Sequence, residues 1–258
     1  MSSKKDNKQI NIQLFDNKRA SSYEDRKLEY NFNTVPFEWH LANSLKFISN
    51  NSKVIDIGCG TGELIRNIAK NKTGKFIGVD LSESMIDIAK SNTPNIQNIQ
   101  FDAMSSLDLK IENNEFDFAL MRGALHHFPN PQKAIGEAFR ILKKNGQLHI
   151  LDILSYEDSE IDIFFNKTNV LRQPANFQFY PKSKLVEFCK NAGFNQIELF
   201  EHIITMDLDK WLNTYNETEK VRNLFLNSSE KIKKAFNLRE ENRIFLIDFV
   251  SFYLVAKK

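Results

Sequence analysis

Two groups of residues in this chain have types and spacings that could do chemistry. The first is a glycine-rich turn, Asp56-Ile57-Gly58-Cys59-Gly60-Thr61-Gly62. Residues without a Cβ accept positive φ and let a ligand lie against the backbone, so this turn has room for a nucleotide-type cofactor. About 20 residues farther on, the strand-like Lys75-Phe76-Ile77-Gly78-Val79 ends on Asp80, where a carboxylate can accept both hydroxyls of a ribose. The second group is His126 and His127, which follow another apolar run. An imidazole with an ordinary pKa near ~6.5 suits removal of a proton from an acceptor at neutral pH.

These residues must be positioned by strands and helices in alternation. Val54 to Ile57 reads as a strand, and after the glycines Leu64, Ile65, Ile68 and Ala69 recur at helical spacing. Ser82 is a good N-cap for a helix over residues 83–90. Further strands are expected at 98–101, 116–121 and 147–153, with a helix opened by Pro131 and stopped at Lys143-Lys144-Asn145-Gly146. Periodicity is lost between residues 155 and 180, resumes as a helix at 181–194, and gives strands at 196–206 and 243–256. Two helix-like stretches, around Trp211 and around Phe225, interrupt the last two strands. Ahead of the core, residues 15–30 and 37–48 have helical patterns, the second with Pro36 in its first turn. The order predicts an α/β fold, a Rossmann-like doubly wound sheet of seven strands, and the family that the glycine turn resembles implies that they are mostly parallel with the last antiparallel. Residues 1–50 form an N-terminal helical segment in this scheme, which the same resemblance implies to be a lid, and 51–258 the main domain with insertions at 155–180 and 207–240.

A dinucleotide-binding turn needs G-x-G-x-x-G. Counted from Gly58 the sixth residue is Glu63, and from Gly60 it is Ile65, so the NAD reading loses its third glycine. The remaining D-x-G-x-G-x-G resembles the first motif of class I methyltransferases that use S-adenosylmethionine. The resemblance runs through residues 53–153 and continues more weakly at both ends. It implies that Asp56, Gly58, Cys59 and Gly60 form the cofactor turn, with Asp80 on the ribose and Leu81 and Met85 beside the adenine. Asp102, Ala103 and Met104 would take the adenine edge, and Arg122 or its loop the cofactor carboxylate. The opening Phe15-x-x-x-Arg19-Ala20-x-x-Tyr23 is similar to the family's F-x-x-x-A-x-x-Y, which implies Tyr23 at the methionine end. The chain is most similar to small-molecule methyltransferases of the ubiquinone and menaquinone type. Arg122, His126, His127, Phe128, Arg172, Pro174 and Trp211 match one branch of these, but Gln173, Ala175 and Asn176 depart from its R-D-P-S-H lid motif. That departure removes the branch's lid acid and histidine.

The function so implied is methyl transfer to the oxygen, nitrogen or carbon of a small aromatic or apolar acceptor, releasing S-adenosylhomocysteine. One histidine is expected to face the cleft as a base, His127 ahead of His126. Asp152, Arg172, Phe177, Phe179 and Tyr180, with His127, are the expected acceptor-binding residues. A non-methylating S-adenosylmethionine binder is the alternative, motivated by the altered lid. A DNA amino-methyltransferase would show an N-P-P-Y-like tetrapeptide where this chain has Arg122-Gly123-Ala124-Leu125.

Composition sets the outer bounds. The 258 residues suffice for one full core, and a net charge of +2 without a long basic block gives no reason to expect nucleic acid. No apolar run approaches the ~20 residues that span a bilayer, so a cytoplasmic protein is expected. Two cysteines make neither a disulfide framework nor a metal set. The 207–240 insertion could cap the acceptor side or form a homodimer contact.

Overall fold

The computed structural model describes residues 34–94, 96–212 and 217–258. The expected helix at 15–30, and Tyr23 with it, lies outside the described residues. In chain order the elements are α1 (Thr34–Phe47), β1 (Ser52–Ile57), α2 (Glu63–Asn71), β2 (Gly74–Asp80), α3 (Glu83–Ser91), β3 (Ile99–Ala103) and β4 (Phe116–Arg122). A 3-10 turn (Leu125–His127) follows, then α4 (Pro131–Ile141), β5 (Leu142–Ile153), α5 (Ser159–Arg172) and α6 (Lys182–Ala192). The chain ends with β6 (Gln196–Asp207), α7 (Leu208–Leu212), α8 (Thr218–Leu226), α9 (Glu230–Ala235), β7 (Arg239–Glu241) and β8 (Ile244–Lys257).

The sheet order is β3-β2-β1-β4-β5-β8-β6, with β7 paired to β8. The strands from β3 to β5 are parallel, and β8 runs antiparallel to both β5 and β6. On one face α2 and α3 send Leu64, Ile65, Ile68, Ile86 and Ala89 against Val54, Phe76, Phe118 and Leu120, with Phe37 and Leu41 of α1 packed beside them. On the other face α4 and α6 bury Ala134, Ile135, Ala138, Leu185 and Phe188 against Ile55, Ile57, Ala119, Met121 and Ile150. Polar caps set the helix starts: Ser82 Oγ accepts from Met85 N at 3.3 Å, and Asn130 Oδ1 accepts from Lys133 N at 3.0 Å, just ahead of Pro131 in the first turn of α4.

Three features depart from the sequence expectation. The fifth strand begins at Leu142, and Lys143 to Gly146 form an irregularity inside it, where the β4–β5 register shifts between Phe116 and Phe118. Asn145 takes a left-handed φ of 67° there. The chain end holds this segment to the sheet: Asn145 N donates to Lys258 O at 3.1 Å and Lys258 N to Gly146 O at 3.0 Å. Second, residues 155–180 contain a 14-residue helix, α5. Third, the short β7 makes the sheet eight-stranded, and the second helical stretch of the insertion divides into α8 and α9 at Ser229, whose hydroxyl caps α9.

One register detail shapes the molecule's upper end. The last residue of β5, Ile153, pairs with Ser251, yet β6 and β8 continue pairing from Ile203 with Val250 to Asp207 with Leu246. This hairpin overhangs the carboxyl end of the parallel sheet. A second core forms on it, where Trp211, Phe225, Phe236 and Phe249 pack with Phe165 and Phe179. The inserted helices α7 to α9 thereby close over the sheet end where ligands of doubly wound folds bind.

Candidate active site

At that sheet end a single cavity of about 390 Å³ runs from the glycine turn to the overhanging hairpin, a size in the range of small-molecule sites. Its first half is built by backbone. Gly58 N and Cys59 N both donate to Val79 O, at 2.8 and 3.0 Å, so the turn folds down onto β2. Gly58 has a φ of +77°, and a Cβ there would meet that of Ala124 at 2.7 Å. Gly62, at φ +74°, caps α2, and a Cβ there would lie 2.6 Å from the Phe101 ring.

Asp80 ties this turn together. One carboxylate oxygen accepts from Gly60 N and the other from Ser82 N, both at 2.9 Å. Burial raises its pKa, and the amides of Ser82, Gly60 and Leu81 pull it back. A carboxylate has about four acceptor positions, so these amides do not exhaust its capacity for hydroxyl donors. Asp56, on β1, is 2 % exposed, and its Oδ1 has no hydrogen-bond partner. Desolvation raises its pKa to about 7 against the opposing pull of Arg122. Arg122 pairs with Glu63 at 3.6 Å and lies over the Phe37 ring at 4.7 Å, while its Nε has no partner. Cys59 Sγ contacts Gly60 O at 3.6 Å, and burial with the neighbouring Asp80 and Asp56 holds its thiol protonated.

The second half is built by side chains. His126 Nδ1 lies 2.8 Å from Asp152 Oδ2 and 3.0 Å from Oδ1. Asp152, next to last in β5, lines the cavity and also accepts from Ile153 N at 2.9 Å. The His126 ring stacks on Phe179 at 4.2 Å and lies 4.0 Å from the His127 ring. His127 Nδ1 lies 3.0 Å from the Ala175 carbonyl, which fixes the tautomer with its proton on Nδ1. Burial and the adjacent His126 hold the His127 pKa well below the usual histidine value, so this ring is neutral at physiological pH. Arg172 is buried at the end of α5, where its Nε donates to Trp211 O at 3.0 Å and its guanidinium lies 4.5 Å from the Trp211 ring.

Most of the expected residues converge on this cavity. Asp56, Gly58, Cys59, Gly60, Asp80, Leu81, Met85, Met104 and Arg122 line one half; His126, His127, Asp152, Arg172 and Phe179 line the other. Both histidines face it, where the sequence suggested one. Asp102 and Ala103 do not line it: both are exposed at the end of β3, paired to Val79 and Asp80 of β2. The turn after them, Ser105 to Leu107, takes that wall instead. Phe177 and Tyr180 also stay out; Phe177 N donates to His126 O at 2.8 Å, and the Tyr180 ring packs on Phe188 at 5.1 Å. Asn169 and Asn176, which belong to the expected lid segment, line it as well, whereas sequence reasoning missed His40, Ile204, Met206 and Phe249. Those on β6 and β8 carry no local signal, because only the overhang brings them to the cavity.

Comparison with known proteins agrees with this geometry. A family model described as a methyltransferase domain matches residues 48–251. The uncharacterised methyltransferase YcgJ of Bacillus subtilis (strain 168) is 30 % identical over 161 residues, which cover 62 % of this chain and 60 % of that protein. A demethylmenaquinone methyltransferase of Staphylococcus saprophyticus is 28 % identical over 172 residues, covering 59 % of this chain and 74 % of that one. The chain thus spans between about half and three quarters of the length of such relatives. Among solved structures, YcgJ superposes with a TM-score of 0.80 at 22 % identity, covering 86 % of this chain and 98 % of that one. A methyltransferase-like protein of Bacillus halodurans gives 0.79 at 24 % identity, covering 84 % and 98 %. With its sheet order, its glycine turn and a family match that extends from the end of α1 into β8, the chain belongs to the methyltransferase-domain family.

Proposed function

We propose that this protein transfers a methyl group from S-adenosylmethionine to a small aromatic or apolar acceptor. The observation that carries the reading is the buried Oδ1 of Asp56, without a partner, at the head of the glycine turn. A carboxylate oxygen withdrawn from water without a donor is costly, and the ammonium of a methionine moiety is the donor that fits it. The rest of that half suits the same cofactor. Asp80 would hold the ribose hydroxyls, Leu81 and Met85 the adenine, and Arg122 the carboxylate. Asp102 and Ala103 are absent from this wall, so Met104 with Ser105 to Leu107 would take the adenine edge.

When bound, S-adenosylmethionine supplies a methyl group on a sulfonium, already a strong electrophile. The protein's task is then to hold the acceptor atom in line and to take its proton. Positioning of this kind contributes ~7–11 kcal/mol in favourable cases. His126 is the residue built for the proton. Asp152 fixes its Nδ1 as the protonated nitrogen, which leaves Nε2 as the base, and a carboxylate stabilises the imidazolium that forms. His127, neutral and bonded to Ala175 O, holds the turn against the chain after α5. This reverses the expected order of the two histidines.

Calorimetric titration with S-adenosylmethionine and S-adenosylhomocysteine, beside an Asp80→Ala variant, tests the cofactor assignment. Saturable binding that the variant loses is the expected result; a folded wild type that binds neither compound refutes it. Screening phenols, quinols and amines for S-adenosylhomocysteine formation then separates turnover from the alternative reading. Binding with no turnover across that panel would favour a non-methylating binder.

A further inference from the structure

Beyond His126 the cavity is lined by residues of α5, α7 and the overhanging β6–β8 hairpin, among them Phe165, Trp211 and Phe249, together with Phe179. Asn176 stands in this apolar lining at 5 % exposure. Its Nδ2 donates to Asn169 O at 3.2 Å. That bond fixes which way the amide points, because the flipped amide would set its oxygen against a carbonyl oxygen. Oδ1 is then left inside the protein with no hydrogen-bond partner. It matches Asp56 Oδ1 at the opposite end of the same cavity, also buried and also without a donor.

The segment carrying Asn176 is locked to the histidine turn. Phe177 N donates to His126 O at 2.8 Å, and Ala175 O lies 3.0 Å from His127 Nδ1. Asn176 N itself donates to Gln173 O at 2.9 Å. The amide oxygen therefore has a set position relative to the base, as a group that reads a ligand must. Unpaired buried carbonyls are few in native proteins, and each needs an explanation, of which a donor on a bound ligand is one.

We infer that Asn176 Oδ1 receives a hydroxyl or N–H of the acceptor, separate from the atom that is methylated. The acceptor is then an apolar or aromatic molecule with at least two polar hydrogens, one for His126 and one for Asn176. A site built to pair a donor rejects the analogue that lacks it far more strongly than an apolar pocket rejects a missing methylene. This inference rests on the methyl-transfer reading of the site and names the substrate class for it.

Matched probes test it in the presence of saturating S-adenosylhomocysteine: hydroquinone against 4-methoxyphenol, and catechol against 2-methoxyphenol. Each pair differs by one polar hydrogen. The wild type should bind the diol of at least one pair on the order of ten-fold more tightly, and Asn176→Leu should bring the two within about two-fold while S-adenosylhomocysteine affinity stays unchanged. The leucine should also leave the ligand-free protein as thermostable as the wild type or more so, since it removes an unpaired buried oxygen. If that variant is insoluble, Asn176→Ala decides by the same probe ratio. No discrimination in either pair by the wild type, including no binding, overturns the inference, as does discrimination that survives in the variant. In those cases retained S-adenosylhomocysteine binding leaves the methyltransferase reading standing, whereas its loss in the wild type would remove both.

Discussion

The two ends of the cavity are made in different ways. At the cofactor end the chain supplies backbone: a turn of three positive-φ glycines, amides pinned by Asp80, and a strand register that sets Asp56 beneath them. At the acceptor end it supplies side chains from α5, α7, β6 and β8, brought together only because the last hairpin outruns the sheet. The first rests on main-chain geometry, which depends little on side-chain identity, and the second on side chains from four elements, so under the proposed reading acceptor specificity would reside at the second.

The largest expected effect comes from breaking the junction between the two ends. His126→Ala removes the proposed base and should lower kcat by about 10²–10⁴-fold with little change in S-adenosylhomocysteine affinity. Asp152→Asn leaves the ring in place but weakens the partner of Nδ1, and should also depress kcat. Steady-state kinetics across pH on any acceptor the screen finds checks both. Equal losses in cofactor affinity would place His126 at the cofactor end and blur the comparison.

Next in size is Asp80→Ala. It removes an acceptor for ribose hydroxyls and releases Gly60 N and Ser82 N. Hydrogen bonds to a charged group contribute ~1.5–3 kcal/mol each, so S-adenosylmethionine affinity should fall about 100-fold or more, read by calorimetry. Discrimination within the matched probe pairs should survive wherever the variant still binds cofactor at high concentration.

A pH titration sharpens the contrast. Asp56 rises from its ordinary 3.8 to about 7 through burial. Between those values the folded protein keeps a proton that the unfolded chain releases. This group's contribution to stability is therefore fully present below the unfolded pKa and is lost as pH rises through about 7. Cofactor binding has the opposite sign, because an ammonium needs the ionised form. Affinity should fall by about ten-fold per pH unit below the folded pKa, with proton uptake by the site opposing it. Asp56→Asn should remove that dependence, weaken binding at every pH, and raise the melting temperature of the ligand-free protein at pH values above about 7.

The sequence showed the cofactor end because local rules build it. Alternating glycines, a strand ending on Asp80 and the Ser82 cap each carry their own signal within a few residues. The acceptor end was hidden for a physical reason visible in α5. Its buried face is Ile161, Phe165, Thr168, Asn169 and Arg172, at helical spacing but half polar, because part of that face lines a cavity. Apolar periodicity therefore failed where the helix does its work. The Lys143–Gly146 segment misled differently: its turn-forming residues make a bulge, since pairing with Lys258 keeps them in the sheet. Asp102 was placed by analogy with a motif; it is exposed at the end of β3, outside the residues that line the cavity.

The smallest expected effect separates glycines that serve the fold from those that serve the ligand. Gly62 at φ +74° would drive a Cβ to 2.6 Å from Phe101 and 3.2 Å from Ala89. Overpacking costs ~1–3 kcal/mol and the left-handed backbone ~1–2 kcal/mol, so Gly62→Ala should lower the melting temperature markedly. Gly60, at φ +53°, would meet nothing within 4 Å. Gly60→Ala should cost only the backbone strain of ~1–2 kcal/mol. Its methyl would stand in the open space over the turn, where the cofactor is proposed to lie, and should weaken S-adenosylmethionine binding by roughly ten-fold. Thermal unfolding and calorimetry on the two variants give the comparison directly. If Gly60→Ala binds as the wild type does, the cofactor does not cross that turn, and the backbone-built end of the cavity needs another occupant.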